Sequence, residues 1–235
     1  MIVPALLCAV GLPAGFLLIR RVPVSPPAQP CAAISLSIVI PARNEEDNLP
    51  RLLQSITASA VHPLEILVVD DASTDGTASI AQSLGATVIN SDPLPARWTG
   101  KAWACHQGAQ RAIGDNLLFL DADTFFVEEG LDRLVARWRR EQDPGLVLSL
   151  LPYHVMSYPY EQLSLFFNVL MAGGAGGFGL VSEPLLFGQS LLISKKTYFA
   201  VGGHAAVRGF VLENLNLAHL IRASGARILC LGGRM

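Results

Sequence analysis

The chain has 235 residues, a net charge of −2, 51% hydrophobic residues and 15% charged ones. That length allows one α/β domain with its own core plus a short appendage, and a charged share well under the usual value of about 25% points to a protein that meets lipid. A nucleic-acid partner has no electrostatic footprint, because the basic run Arg137-Trp138-Arg139-Arg140 reads as cations at the end of a helix, where they offset its dipole.

Met1–Ile19 (MIVPALLCAVGLPAGFLLI) carries no charged side chain and then meets Arg20-Arg21. Its length reaches the roughly 17–25 residues that cross a hydrocarbon core. Its positive charge comes after the apolar run, whereas a secretory signal carries it in front. The flanking arginines place the remainder of the chain on the cytoplasmic side. Residues 1–21 are therefore expected to be a transmembrane or membrane-anchor segment in the cell membrane, with a re-entrant or interfacial placement left open by Pro4 and Pro13. Residues 22–33, which include VPVSPPAQP, read as a proline-rich linker. The folded domain is expected over 34–235, in two halves that divide near residue 125.

From Ile34 onward, short apolar β-rich runs alternate with helical patterns. Leu36–Ile40 reads as a buried strand ended by Pro41-Ala42-Arg43-Asn44, with Asn44 as N-cap of a helix whose first turn holds Glu45, Glu46 and Asp47. Leu49, Leu52, Leu53 and Ile56 give that helix an apolar face. Glu65–Val69 is the next strand, DDASTDG a turn, Thr77–Leu84 a helix and Ala86–Asn90 a third strand. A loop with Pro93, Pro95 and Trp98 leads to a helix over Lys101–Ile113, then strand Asn116–Leu120, helix Val127–Arg140 and strand Leu146–Leu150. Crossovers of this length imply a mostly parallel sheet flanked by helices. In the second half, Glu161–Ala172 reads as a helix, Gly173–Gly179 as a glycine loop and Leu186–Ser194 as a strand. Gly202-Gly203-His204 reads as a tight loop, followed by a short helix near Glu213 and a last strand over Arg227–Leu231.

Three strand ends on one sheet edge then carry polar pairs: Asn44/Glu45, Asp70/Asp71 and Asp121/Asp123. Ligands of open parallel sheets bind at this edge. Alternation along a strand would turn Asp121 and Asp123 to one side, where two carboxylates and phosphate oxygens suit Mg²⁺ or Mn²⁺. Four cysteines (Cys8, Cys31, Cys105, Cys230) stand far apart and form neither a disulfide framework nor a zinc set. Cys105 and His106 are adjacent on a helix and diverge by about 100°, which speaks against a catalytic dyad.

The ordered segments SIVIPARNEEDNLPRLL, EILVVDDASTDGT, GKAWACHQGA and FLDADT resemble family 2 glycosyltransferases with the GT-A fold, a Rossmann-like α/β architecture. The resemblance implies transfer of a hexosyl group, with UDP-glucose the family-level favourite, from a nucleotide-sugar donor by an inverting, metal-dependent mechanism. It implies nucleotide-sugar binding by Pro41, Ala42, Glu45, Asp71, Lys101 and Asp121 in a nucleotide half (about 34–125), metal binding by Asp121 and Asp123, and an acceptor half (about 126–235). DPLPARWTGKAWACHQGA and GQSLLISKKTYFAVGGHAAVRG are similar to a bacterial subgroup that glycosylates carotenoid acids or is associated with hopanoids. That likeness implies a lipid-type acceptor and a membrane. Polyprenyl and polysaccharide acceptors, or a non-catalytic binding relative, stand as alternatives. Family members carry a second acid, the catalytic base, where this chain has Asn214 of Glu213-Asn214. Gly174, Gly176 and Gly179 match G-x-G-x-x-G but come after a helical run, so no dinucleotide site is read there. Trp98, Trp103 and Phe125 are candidates for stacking on a sugar or lining a lipid entry, against core packing for Trp103; His204 either touches the acceptor or caps its loop.

Overall fold

The computed structural model describes residues 34–141, 143–151, 186–210 and 212–232. The membrane segment and linker, the helix expected over Glu161–Ala172 and the glycine run Gly173–Gly179 lie outside the described residues. Among the described residues, no helix is long and apolar enough to cross a membrane.

Among the described residues seven strands form one sheet: β1 (Leu36–Ala42), β2 (Glu65–Asp70), β3 (Thr87–Asn90), β4 (Asn116–Leu120), β5 (Val147–Leu151), β6 (Ser190–Ser194) and β7 (Ile228–Gly232), in the order β3-β2-β1-β4-β6-β5-β7. The first four are parallel, with Ile40 opposite Val68 and Ile38 opposite Leu118. β6 runs antiparallel to both β4 and β5, and β7 is parallel to β5. The mostly parallel α/β sheet read from the sequence is present, with β6 as its one reversed strand.

Alternation along the strands supplies both faces. Leu36, Ile38, Ile40, Leu118 and Leu120 pack with helices α1 (Leu49–Thr57) and α4 (Gly130–Glu141). Val39, Val69, Leu117 and Phe119 pack on the other face with α3 (Gly100–Arg111) and α7 (Glu213–Ala223). The short helices α2 (Thr77–Ser83), α5 (Lys195–Ala200) and α6 (Gly203–Ala206) complete the two outer layers.

The first helix corrects the expected cap. α1 starts at Leu49, with Asn48 at the cap position, no side-chain cap bond and Pro50 in its first turn. Four aliphatic side chains on it are 1% exposed or less. At about 1.5–3 kcal/mol each, their burial outweighs the roughly 1 kcal/mol a cap supplies. Asn44 instead adopts a left-handed conformation, φ 56°. Its Oδ1 accepts the N–H of Thr74 at 2.8 Å, its own N–H donates to Ser73 Oγ at 3.0 Å, and the N–H of Glu45 donates to Thr77 Oγ1 at 2.8 Å. The loops after β1 and β2 are thus fastened to each other.

Two further readings change. The strand expected from Leu186 begins only at Ser190, and Ser194 then caps α5, its Oγ accepting the N–H of Thr197 at 3.1 Å. Gly202-Gly203-His204 opens α6, both glycines at positive φ. His204 faces inward: Tyr198 Oη lies 2.8 Å from its Nδ1 and accepts its backbone N–H at 3.1 Å. Burial pushes the imidazole down to about 3 from its ordinary 6.5. The unfolded chain therefore binds a proton near pH 6.5 that the folded chain refuses until about pH 3. Stability from this group is complete above that window and falls with acid, by up to about 1.4 kcal/mol per pH unit. Thermal unfolding of the wild type and His204→Asn should show the wild type ahead at neutral pH and the gap narrowing towards pH 4; a gap independent of pH would overturn the assignment.

Candidate active site

The C-terminal ends of β2, β1 and β4, adjacent in the sheet, form the floor of a cleft of about 390 Å³. Its walls hold Pro41, Ala42, Glu45, Asp71, Lys101, Asp121 and Asp123, seven of the nine residues expected from the sequence, together with Arg43, Gly100 and Ala122. Parallel pairing brings them together, since each strand delivers its last residues to the same edge.

α3 roofs one side because it lies directly on the sheet. A Cβ at Gly108 would overlap Cγ1 of Val39 and stand 3.1 Å from Cγ2 of Val69, so only glycine allows this approach. The contact carries the start of α3 over the cleft, where Thr99 caps it by accepting the N–H of Ala102 at 3.4 Å. Gly100 meets the Asp71 carboxylate so closely that an added Cβ would overlap Oδ2. Asp71 is held by its N–H to the Ala42 carbonyl at 2.8 Å, and Arg43 reaches its carboxylate at 3.8 Å. Asp70, by contrast, closes its own turn by accepting the N–H of Ser73 at 3.1 Å. The second aspartate is thus the one that faces the cleft.

Lys101 Nζ lies 2.7 Å from Oδ1 and 2.8 Å from Oδ2 of Asp121. Burial disfavours the charge of Lys101, but the Asp121 carboxylate outweighs it and holds the ammonium above its usual range. On the carboxyl side burial pushes Asp121 up, against the pull of Lys101. The ion pair is the direction we stand behind, because one ammonium spans both oxygens. Asp121 and Asp123 share the cleft for a reason other than strand alternation. β4 ends at Leu120, and the turn folds back as the N–H and Oγ1 of Thr124 donate to the Asp121 carbonyl at 3.1 and 2.7 Å. Among the described residues no three carboxylate, histidine or cysteine groups converge on one point. Two carboxylates on an open rim suit a hard cation that takes its other ligands from phosphate and water.

Glu213 and Asn214 open α7 beside this cleft. Glu213 Oε2 accepts the hydroxyl of Thr99 at 3.2 Å. An added Cβ on Gly188 would overlap the Asn214 amide, and the neighbouring Gln189 carbonyl accepts the N–H of Asp121 at 3.1 Å. The sequence alone did not assign Thr99, Gly100 or Arg43 to the site; the small residues ahead of Lys101 in TGKAWA were the signal for the first two. Cys105 is buried and burial pushes its thiol up, while His106 packs with Trp98 and Trp103 at 5.1 and 5.8 Å between ring centroids, so the two form no dyad. Trp103 stays half-buried, its indole N–H donating to the Asp92 carbonyl at 3.0 Å. Arg51 covers the Phe125 ring at 3.4 Å.

Residues 37–215 match the domain described as Glycosyl transferase family 2. The chain belongs to glycosyl transferase family 2. Among curated family 2 relatives, 4,4'-diaponeurosporenoate glycosyltransferase of Staphylococcus haemolyticus is 38% identical over 190 residues, covering 78% of this chain and 50% of the relative. The enzyme of that name from Staphylococcus aureus USA300 is 36% identical over 189 residues, with the same coverage. The chain thus spans about half the length of the curated relatives it matches. In fold, this family 2 domain resembles the mannosyltransferase PcManGT from Pyrobaculum calidifontis, solved with GDP-Man and Mn²⁺, at a TM-score of 0.64 and 20% identity, over 98% of this chain and 65% of that one. It also resembles Staphylococcus aureus TarS, solved with UDP-GlcNAc, at 0.57 and 18%, over 83% and 55%. These likenesses establish the GT-A-like arrangement of the sheet.

Proposed function

We propose that this domain transfers a hexosyl group, UDP-glucose being the expected donor, to the carboxylate of an apolar acceptor such as a carotenoid acid, with inversion at the anomeric carbon. The observation that carries the reading is the Glu213-Asn214 pair at the cleft edge, with an amide packed on Gly188 where the family pattern has an acid. An amide takes no proton. An alcohol acceptor requires a base as it attacks, whereas a carboxylic acid with a pKa of roughly 4 is more than about 99% ionised at pH 7. The names of the curated relatives, built on an acid, agree with this.

In the proposed reaction Asp71, Glu45, Pro41 and Ala42 seat the nucleoside. Asp121 and Asp123 would hold Mg²⁺ or Mn²⁺, which supplies charge neutralisation to the departing diphosphate. Lys101, released from Asp121, turns to the same phosphates. Glu213, steadied by Thr99, orients the acceptor, and Asn214 donates a hydrogen bond to its carboxylate without repelling it. The carboxylate oxygen bonds to the anomeric carbon as the bond to the β-phosphate oxygen breaks on the opposite side, giving a glycosyl ester and nucleoside diphosphate. The uncharged run Met1–Ile19 and the arginines after it support a place at the cell membrane with this domain on the cytoplasmic side.

The test is a donor screen on membranes bearing the full chain, reading nucleoside diphosphate released with a carotenoid acid or its matching alcohol. The acid should be preferred by about a hundredfold, the usual worth of a missing base. Asn214→Asp should raise the alcohol rate and leave the acid no better. Preference for the alcohol in the wild type would sink the reading.

A further inference from the structure

The acceptor edge carries an apolar surface with its own charge. Leu94, Phe210, Leu212 and Leu215 are 53%, 50%, 64% and 45% exposed. Leu212 and Leu215, three residues apart at the start of α7, lie on one face. The segment before them abuts the loop before α3, since an added Cβ at Gly209 would stand 3.2 Å from the Arg97 carbonyl oxygen. Two residues beyond Arg97, the Thr99 hydroxyl holds Glu213. Phe210, Leu212 and Leu215 therefore lie on the segment that abuts the Arg97 loop and leads to Glu213, with Leu94 three residues before Arg97 in that loop. Arg97 and Arg208 are exposed among these residues, and Glu213, which stands beside them, is turned to Thr99.

We infer that this surface docks the catalytic domain on an anionic lipid bilayer, with Phe210, Leu212, Leu215 and Leu94 entering the acyl boundary and Arg97 and Arg208 meeting lipid phosphates. Charge complementarity selects the occupant: exposed leucine and phenylalanine side chains interspersed with guanidinium groups match the interface of a negatively charged leaflet. Of the other exposed large hydrophobics, Leu64 and Ile113 stand at the opposite edge of the sheet, ahead of β2 and β4, Phe199 lies on α5 after β6, and Val127 stands between β4 and α4. The docking is therefore on the acceptor side. It rests on the lipid acceptor proposed above and adds its route: an apolar molecule passes from the bilayer to Glu213 without crossing water.

The tryptophans provide the measurement. The chain has three; Trp98 lies beside Arg97, and Trp138 lies by Ile34 and Asn116 at the far edge of the sheet. Full-length chains retaining only Trp98 or only Trp138, the others changed to phenylalanine, are placed in mixed phosphatidylcholine and phosphatidylglycerol vesicles with brominated acyl chains. Trp98 should be quenched and Trp138 should not. Leu212→Asp with Phe210→Asp should reduce Trp98 quenching roughly fivefold or more, and Arg97→Glu with Arg208→Glu should do so only where phosphatidylglycerol is present. Equal quenching of the two tryptophans, or quenching that ignores both variant pairs, overturns the docking. So does self-association in detergent that Leu212→Asp abolishes, which would assign the surface to a second copy. Nucleoside diphosphate binding, measured on the same samples, separates the two ideas: intact binding without quenching rejects docking alone, while a wild type that binds no nucleotide rejects the transferase reading.

Discussion

Asp123→Asn is expected to lower turnover by about a thousandfold or more and to abolish the dependence of nucleoside diphosphate binding on Mn²⁺. Asp123 is exposed on the rim of the cleft, so the change removes a charge without disturbing the core. Loss of one of two protein carboxylates leaves a hard cation with a single anionic anchor from the chain. In the proposed reaction several kcal/mol of leaving-group stabilisation would depend on that ion, and each 1.36 kcal/mol is tenfold in rate. Calorimetric titration of UDP with and without Mn²⁺ checks the binding half independently of turnover. A variant whose affinity still responds fully to Mn²⁺ would contradict the assignment.

Gly100→Ala is expected to separate stability from binding. The new methyl group would overlap Asp71 Oδ2, and Asp71 cannot retreat as a whole while its N–H is bonded to Ala42. Its carboxylate must rotate out of the place where a nucleoside would meet it. Two to three lost or weakened hydrogen bonds, at roughly 1 kcal/mol each, put the fall in nucleotide affinity at about tenfold to a hundredfold. The same substitution favours the helix by up to about 1 kcal/mol, so the melting temperature should hold or rise. Unchanged affinity for UDP would show that Asp71 does not contact the base or ribose.

Most of the cleft was legible because it is built from strand ends. β1, β2 and β4 are covered on both faces, so each reads as a largely apolar run, broken in β1 only by the buried Ser37, and the polar residues after the run mark the binding edge. Partners far apart in the chain were less legible. Asn44 followed by acids looks like a helix start, yet its side chain is engaged by Thr74, and no local pattern announces that bond. The same holds for Thr99 and Glu213, partners 114 residues apart that only the tertiary fold brings together. α5 was missed because Thr197, Tyr198 and Phe199 favour a strand in isolation, while burial of Tyr198 against Phe119 holds them in a helix. The direction of β6 was equally hidden: Leu191, Leu192 and Ile193 are buried whichever way the strand runs.

That reversed direction bears on how such a domain changes its specificity. β5 runs antiparallel to β6, so it leaves the sheet at the edge where β6 enters it, the edge that carries Asp121. Leu151 and Leu186 therefore both stand on the cleft side, and the Gln189 carbonyl fastens the entry of β6 to Asp121. The chain leaves the sheet after Leu151 and is described again from Leu186 on this same edge. Parallel pairing among β1 to β4 closes the first part of the sheet independently of that point. A change in the length of the stretch 152–185 therefore enters beside Asp121 and leaves the register among β1 to β4 untouched. Under the transfer reaction proposed above, the topology would separate two evolutionary variables, a fixed source of activated sugar and an exchangeable destination, along a single chain.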